Sequence, residues 1–156
     1  MADTEDLLET LAAQEKALVF ATFNESTALQ VGLAIIQAAQ AQYAPVVIDI
    51  RTPNRTLFHA ALPGSAPDND EWARRKSNTT LRFHRASFAV GEGMRRKGRT
   101  PGPDIGIDLM EYATHGGSFP VRVEGVGVVA AITVSGLAQA EDHQMIVDAL
   151  ETYLAQ

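Results

Sequence analysis

The chain has 156 residues, of which 46% are hydrophobic and 21% charged, and it contains no cysteine. That is ordinary globular composition, and it is long enough to bury a full core as a single domain over residues 1–156. The missing thiols exclude disulfides, thiolate zinc sites, iron–sulfur clusters, a catalytic cysteine and covalent c-type haem attachment, and a net charge of −6 argues against nucleic acid as a partner.

The first residues, MADTEDLLETL, carry neither a basic n-region nor an apolar h-region, so no signal peptide is expected. The longest apolar run, 126–134, is too short to cross a bilayer. A cytoplasmic protein without a membrane partner is expected. Charge is unevenly placed. Nine of the 13 Lys and Arg residues fall between positions 74 and 99, where Glu92 is the sole acid, so this window carries +8 and the rest of the chain −14. An anionic small molecule, an acidic partner, or the chain's own acidic helices would each fit it.

Residues 3–15 read as a helix, with Leu7, Leu8 and Leu11 on one stripe and Asp3, Glu5 and Asp6 in the first turn, where the helix dipole favours acids. LVFATF (18–23) has the β-branched and aromatic content of a strand. Asn24 or Ser26 is placed to cap a helix over 26–43. No charged residue occurs between Ser26 and Ile48. Leu29, Leu33, Ile36 and Tyr43 form a stripe there, widened by Ile35 and Ala39. A surface helix ordinarily carries charge on its outer face. Two readings are open: coverage on more than one side, by the sheet and another subunit, or an exposed Ala/Gln-rich face.

PVVIDI (45–50) and RTLFHAAL (55–62) flank Arg51-Thr52-Pro53-Asn54 and are expected to pair as an antiparallel hairpin. Asp49 and His59 interrupt its apolar pattern and are expected on a solvent face or edge. After the loop at 62–70, Asp68 and Glu71 have capping-box spacing, and a helix is expected from about Asp70 to Phe83 or Phe88. A second helical piece, 86–97, is weakened by Gly91 and Gly93. Residues 96–106 are too rich in Gly and Pro for regular structure, and one more helical turn is expected within 108–114. PVRVE (120–124) alternates like a half-exposed strand. VGVVAAITV (126–134) is apolar at both parities, as a central strand is. A last helix over 139–154 aligns His143, Ile146, Val147, Leu150 and Leu154. The order predicts an α+β fold: a five-stranded, mainly antiparallel sheet with flanking helices.

The four histidines have no metal-ligand spacing, so no metal site is expected. There is no Walker loop, no G-x-S-x-G and no nucleotide fingerprint. Ser135, Asp142 and His143 crowd one turn too closely for a nucleophile–base–orienter line, which discounts a hydrolase. Ser135-Gly136 reads as the turn that ends the central strand, with Asp142 holding free N–H groups and His143 satisfied inside the core. The candidate ligand surface combines Trp72, Arg75, Lys76 and Arg82 with the His115-Gly116-Gly117 loop: an aromatic face, cations for carboxylates and backbone donors. A solvated helix face and a plain tight loop are the competing readings of these two features.

One long stretch, HGGSFPVRVEGVGVVAAITVSGLAQAEDHQMIVDAL, resembles an uncharacterised branch of the GlcG/HbpS-like superfamily, whose label is "haem-degrading". Gly116, Gly117, Phe119, Pro120, Val134, Ser135, Gly136, Leu137, Glu141, Asp142 and His143 carry the resemblance. Upstream, Arg51-Thr52-Pro53-Asn54, Leu57-Phe58, Asn69-Asp70-Glu71-Trp72 and Arg75-Lys76 extend it to nearly the whole chain. The resemblance implies a profilin-like fold and homo-oligomers, from dimers to larger rings or shells. It makes haem a candidate cofactor, since distant relatives bind haem or release its iron. His84, Met94, Tyr112 and His115 can ligate haem iron chemically, but none matches a known ligand position.

Three functions follow as expectations. The first is an oligomeric small-molecule-binding or accessory protein, haem- or tetrapyrrole-related by resemblance. The second is an interaction protein that docks acidic partners. The third is a small-carbonyl or hydroxyacid enzyme using His115 or His143 as a general base.

Overall fold

The structure is a computed structural model and describes residues 4–156. Five helices and four strands follow in the order α1 (Thr4–Ala17), α2 (Glu25–Ala41), β1 (Val47–Arg51), β2 (Thr56–Ala61), α3 (Pro67–Phe83), α4 (Ser87–Arg96), β3 (Ser118–Val123), β4 (Gly127–Ser135) and α5 (Gln139–Leu154). The sheet is antiparallel throughout, in the order β2-β1-β4-β3. The α+β class, the hairpin of β1 and β2 and the inner position of the strand read from the 126–134 run are therefore as the patterning predicts, although Val126 lies before β4 and is exposed. No helix among the described residues is long and apolar enough to cross a membrane. Asp3, expected in the first turn of α1, lies outside the described residues.

The expected fifth strand is reduced to one bridge. Phe20 pairs with Val123 of β3 in parallel sense, through Phe20 N–H to Arg122 O (2.8 Å) and Glu124 N–H to Phe20 O (2.9 Å). The Phe20 ring meets Phe23 edge-on and packs near Tyr153. Asn24 then caps α2 through a reciprocal pair with Thr27 (3.0 and 3.2 Å).

Alternation along β1, β3 and β4 sorts side chains onto two different layers. Ile48, Ile50, Phe119, Val121, Ile132 and Val134 join Val31, Ile35, Ile146 and Leu150 in the apolar core under α2 and α5. The opposite face carries Asp49, Ser118 and Thr133, and α3 packs on it. There Ser77 Oγ lies 2.9 Å from Thr133 Oγ1, which donates to Ser118 Oγ at 2.9 Å. Covering this face with polar partners is what lets β4 run uncharged through the middle of the sheet.

Several local expectations are corrected. Asp49 is not on a solvent face: it is fully buried beneath α3, because β1 is an inner strand. Its carboxylate is held by Arg51 Nε (2.6 Å), Arg51 Nη2 (2.8 Å) and His59 Nδ1 (2.7 Å), and His59 Nε2 reaches Asp70 at 2.8 Å. His59 itself is exposed, on the edge strand β2. Helix α3 begins at Pro67, whose fixed φ suits a first helical turn, so the Asp68/Glu71 box is not formed. Asn69 Oδ1 accepts from Ala66 N–H (2.9 Å) instead. In α2 the stripe turns outward: Ala28, Val31, Gly32, Ile35 and Ala39 are buried, whereas Leu29 and Leu33 are 51% and 52% exposed and Tyr43 is 92% exposed. In the stretch 120–124, read as half-exposed, Pro120 and Val121 are buried, whereas Arg122 and Val123 are half-buried and Glu124 is exposed.

Candidate functional site

Residues Asn69, Trp72 and Lys76 fall at i, i+3 and i+7 of α3, so they share one helical face. That face looks onto the point where β4 ends at Ser135 and the chain turns through Gly136 and Leu137 into α5. A cleft of about 200 Å³ lies between them, lined by Asn69, Trp72, Lys76, His115, Ser135, Gly136, Leu137, Gln139 and Asp142.

Lys76 forms its floor. It is 3% exposed, and its Nζ donates to Asp142 Oδ2 (3.1 Å) and to Val134 O (3.3 Å). Asp142 also accepts from Leu137 N–H (2.9 Å) and Gly136 N–H (3.3 Å), so one carboxylate holds both the lysine and the turn after β4. Desolvation is the main influence on both groups. It pulls the Lys76 ammonium below the ordinary lysine range and raises the Asp142 carboxyl above the ordinary aspartate range, with each partner's charge opposing the shift. Gly117, at φ +135°, is required here: a Cβ would lie 2.5 Å from Val134 O and 2.6 Å from Lys76 Nζ.

The upper wall is aromatic. The His115 ring stands edge-on to Trp72, centroids 5.0 Å apart, and the Arg75 guanidinium lies over the Trp72 ring at 4.4 Å. Burial, and after it the charges of Lys76 and Arg75, lowers the His115 pKa and favours the neutral imidazole. Two side-chain amides complete the rim. Asn69 Oδ1 is taken by Ala66 N–H, and Gln139 Oε1 accepts from Gly116 N–H (2.9 Å). Each amide oxygen is thereby fixed, and each NH₂ is left as a donor for a ligand.

Of the residues singled out in the sequence as ligand-binding, Trp72, Lys76 and His115 line this cleft and Gly116 and Gly117 build the loop beside it. Arg75 is drawn to the Trp72 ring and donates to Leu109 O (3.4 Å). Arg82 lies elsewhere, donating to Gly106 O (2.8 Å) and stacking near Phe83 and Tyr112. Ser135, Gly136 and Asp142, read as the turn and the helix cap, also face the cleft, whereas His143 does not. His143 Nε2 donates to Gln14 Oε1 (2.7 Å), and its ring packs against Phe88 and Phe119. Asn69, Leu137 and Gln139 were not anticipated. The helical spacing of Asn69 from Trp72 and Lys76 was a usable signal; the approach of Gln139 to Gly116 depends on tertiary packing alone.

Much of the basic window is satisfied internally. Arg74 bonds Glu111 (2.8 Å) and Glu71 (3.1 Å), Lys76 pairs with Asp142, and Arg95 Nε pairs with Glu92 (3.1 Å). Of the four side chains able to ligate iron, His115 alone lines the cleft, and His84 is the left-handed cap of α3. Among the described residues no three His, Asp or Glu side chains cluster as metal ligands.

The fold and the cleft define an α+β protein with a lysine- and amide-lined depression at the end of an inner strand. The chain belongs to the HbpS-like family: a family profile described as "Haem degrading protein HbpS-like" matches residues 23–151. It is 48% identical over 155 residues to the UPF0303 protein SCO2848 of Streptomyces coelicolor, covering 99% of this chain and 98% of that one. Among solved structures, the Ybr137w protein superposes with a TM-score of 0.87 at 38% identity, covering 95% of this chain and 88% of the other. A structure described as a PduOC:Heme complex superposes with a TM-score of 0.70 at 19% identity, covering 85% and 94%, and is alike in fold.

Proposed function

We propose that this chain is a small-molecule-binding protein that takes an anionic ligand in the cleft between α3 and the His115 loop. The observation that carries this reading is the convergence of donors from three segments: Lys76 and Asn69 from α3, His115 from the loop, and Gln139 from α5, beside the Trp72 ring. Nothing in that set offers a free carboxylate, since Asp142 is occupied by Lys76 and two backbone N–H groups. Trp72 is the sole tryptophan, so its fluorescence reports on this cleft and nowhere else. Titration with short carboxylates is expected to give a saturable change. Gln139→Ala is expected to weaken it about tenfold to a hundredfold, the cost of about one hydrogen bond to a charged acceptor. A flat titration with every carboxylate tried would remove the proposal.

A haem-related role is the second reading, supported by the family description and by the PduOC:Heme structure. The cleft does not fit the whole cofactor: about 200 Å³ falls below the roughly 300–1,000 Å³ of pockets that enclose larger ligands. A saturable Soret shift on titration, abolished by His115→Ala, would favour this reading over the first.

The protein works as an oligomer in this proposal, with the outer face of α2 covered by a second copy. Leu29 and Leu33 project from a helix flanked by a charge-free run from Ser26 to Ile48. Isolated apolar side chains on a surface are common, but a wide face without any charge is not. Leu33→Glu is expected to shift the sedimentation coefficient to a smaller species while the circular dichroism is kept. A wild-type monomer at high protein concentration would refute this assembly.

A further inference from the structure

We propose that Lys76 is an imine-forming lysine and that the cleft takes a small 2-oxo acid, whose carbonyl carbon reacts with Nζ. This rests on the reading of the cleft as an anion-binding site and adds the substrate class and a covalent step.

The geometry is more than a structural ion pair needs. A lysine that only tied α3 to α5 could lie sealed between them, yet Lys76 forms part of the cleft surface. An ammonium has three N–H donors, and Nζ uses two, to Asp142 and Val134 O. Glycine at 117 keeps the space next to Nζ clear, because a side chain there would start 2.6 Å from the nitrogen. The rim supplies carboxylate donors in the NH₂ groups of Asn69 and Gln139, and Trp72 gives a short apolar wall. A volume of about 200 Å³ admits a molecule of few heavy atoms. A carbonyl next to a carboxylate matches this pairing of a nucleophile on the floor with donors at the rim.

The chemistry balances without an added oxidant or reductant. The Lys76 ammonium passes one proton to the Asp142 carboxylate 3.1 Å away. The freed lone pair forms a C–N bond to the carbonyl carbon as the C=O π pair moves onto oxygen, which takes the proton back from Asp142. A second proton leaves nitrogen for the same oxygen, again by way of Asp142. The C–O bond breaks, water departs, and a protonated imine remains beside the carboxylate. Burial favours the first transfer, since it shifts both partners towards their neutral forms.

The chain has three lysines, Lys16, Lys76 and Lys97, and the other two are exposed, which provides an internal control. The full-length protein is treated with pyruvate and sodium borohydride, and the reduced adduct is located by peptide mass spectrometry, with Trp72 fluorescence followed in parallel. The expected result is a reduced adduct on Lys76 in clear excess over Lys16 and Lys97. Lys76→Arg, which removes the nucleophile, is expected to lose that adduct. Saturable fluorescence without a Lys76 adduct overturns the imine and leaves anion binding standing. No saturation and no adduct overturns the imine, and overturns the anion site too when the other short carboxylates also titrate flat. Should Lys76→Arg fail to fold, the wild-type peptide map decides alone.

Discussion

Asp142→Ala is expected to lower the unfolding free energy by about 3–5 kcal/mol, the loss typical of breaking a buried ion pair by removing one partner. The size follows from what the carboxylate holds. The Lys76 and Asp142 side chains are only 4% and 2% exposed, so solvent does little to screen either charge. Removing the carboxylate leaves a desolvated amine whose remaining acceptor is Val134 O, and frees the N–H groups of Gly136 and Leu137 just after the inner strand. For a chain of this size such a loss corresponds to a fall in Tm on the order of 10 °C. Urea denaturation separates the contributions. Asp142→Asn keeps an acceptor for the turn but removes the charge, so it is expected to fall between wild type and Asp142→Ala. The double change Lys76→Met with Asp142→Asn removes both charges at similar volume and should recover most of the loss, because an apolar replacement of a buried pair is often neutral. A double variant no more stable than Asp142→Ala would mean that packing, and not the unpaired charge, sets the cost.

The strand and helix periods that made the fold readable in the sequence are those dominated by local burial. Ala130–Val134 are buried because β4 lies between β1 and β3 with helices on either side, which suits a run that is apolar at both parities, whereas Val126 lies before the strand and is 71% exposed. Asp49 was misread for the same reason in reverse. Alternation marks a residue as belonging to the other face, but it does not say whether that face meets water or another helix. Here α3 covers it, and Arg51 and His59 supply the partners a buried carboxylate requires. The α2 stripe failed through a small rotation: Leu29 and Leu33 outweigh Ala28, Val31 and Gly32 in hydrophobicity, yet Gly32 is the residue that lets α2 close on Phe58. In the cleft, Trp72, Lys76 and the Gly-Gly loop were legible as residue types suited to a ligand. What the sequence could not supply was the engagement of Lys76 by Asp142 across 66 positions, which turns a cation on a helix face into a buried pair.

Acidification is expected to destabilise the wild-type chain through His143, and His143→Phe should remove that component. Burial pushes the His143 pKa down to about 4, from 6.5 for a free histidine. With Nε2–H given to Gln14, Nδ1 has no hydrogen-bond partner and lies within a wall formed in part by Phe88 and Phe119. Protonation would create a second N–H with no acceptor, so the folded state keeps the ring neutral. The sign follows directly. Between the two pKa values the unfolded chain binds the proton and the folded chain does not, so stability rises with pH across this window. The contribution is complete above the unfolded value and is lost as pH falls towards about 4, by about 3 kcal/mol in full. Glu15 and Asp142, both raised by burial, act in the opposite sense, since each binds its proton more readily when folded. The wild-type curve alone therefore mixes opposing slopes, and the informative quantity is the difference between two proteins. Phenylalanine keeps a ring against Phe88 and Phe119 and has nothing to titrate, while Gln14 is partly exposed and can turn to water. Urea denaturation of both proteins from about pH 7 to about pH 4.5 should bring their stabilities closer by about 2–3 kcal/mol on acidification, in favour of the variant. Curves that stay parallel over that range would mean that the ring is already charged in the folded state or becomes hydrated there, and that its burial does not control the acid limb.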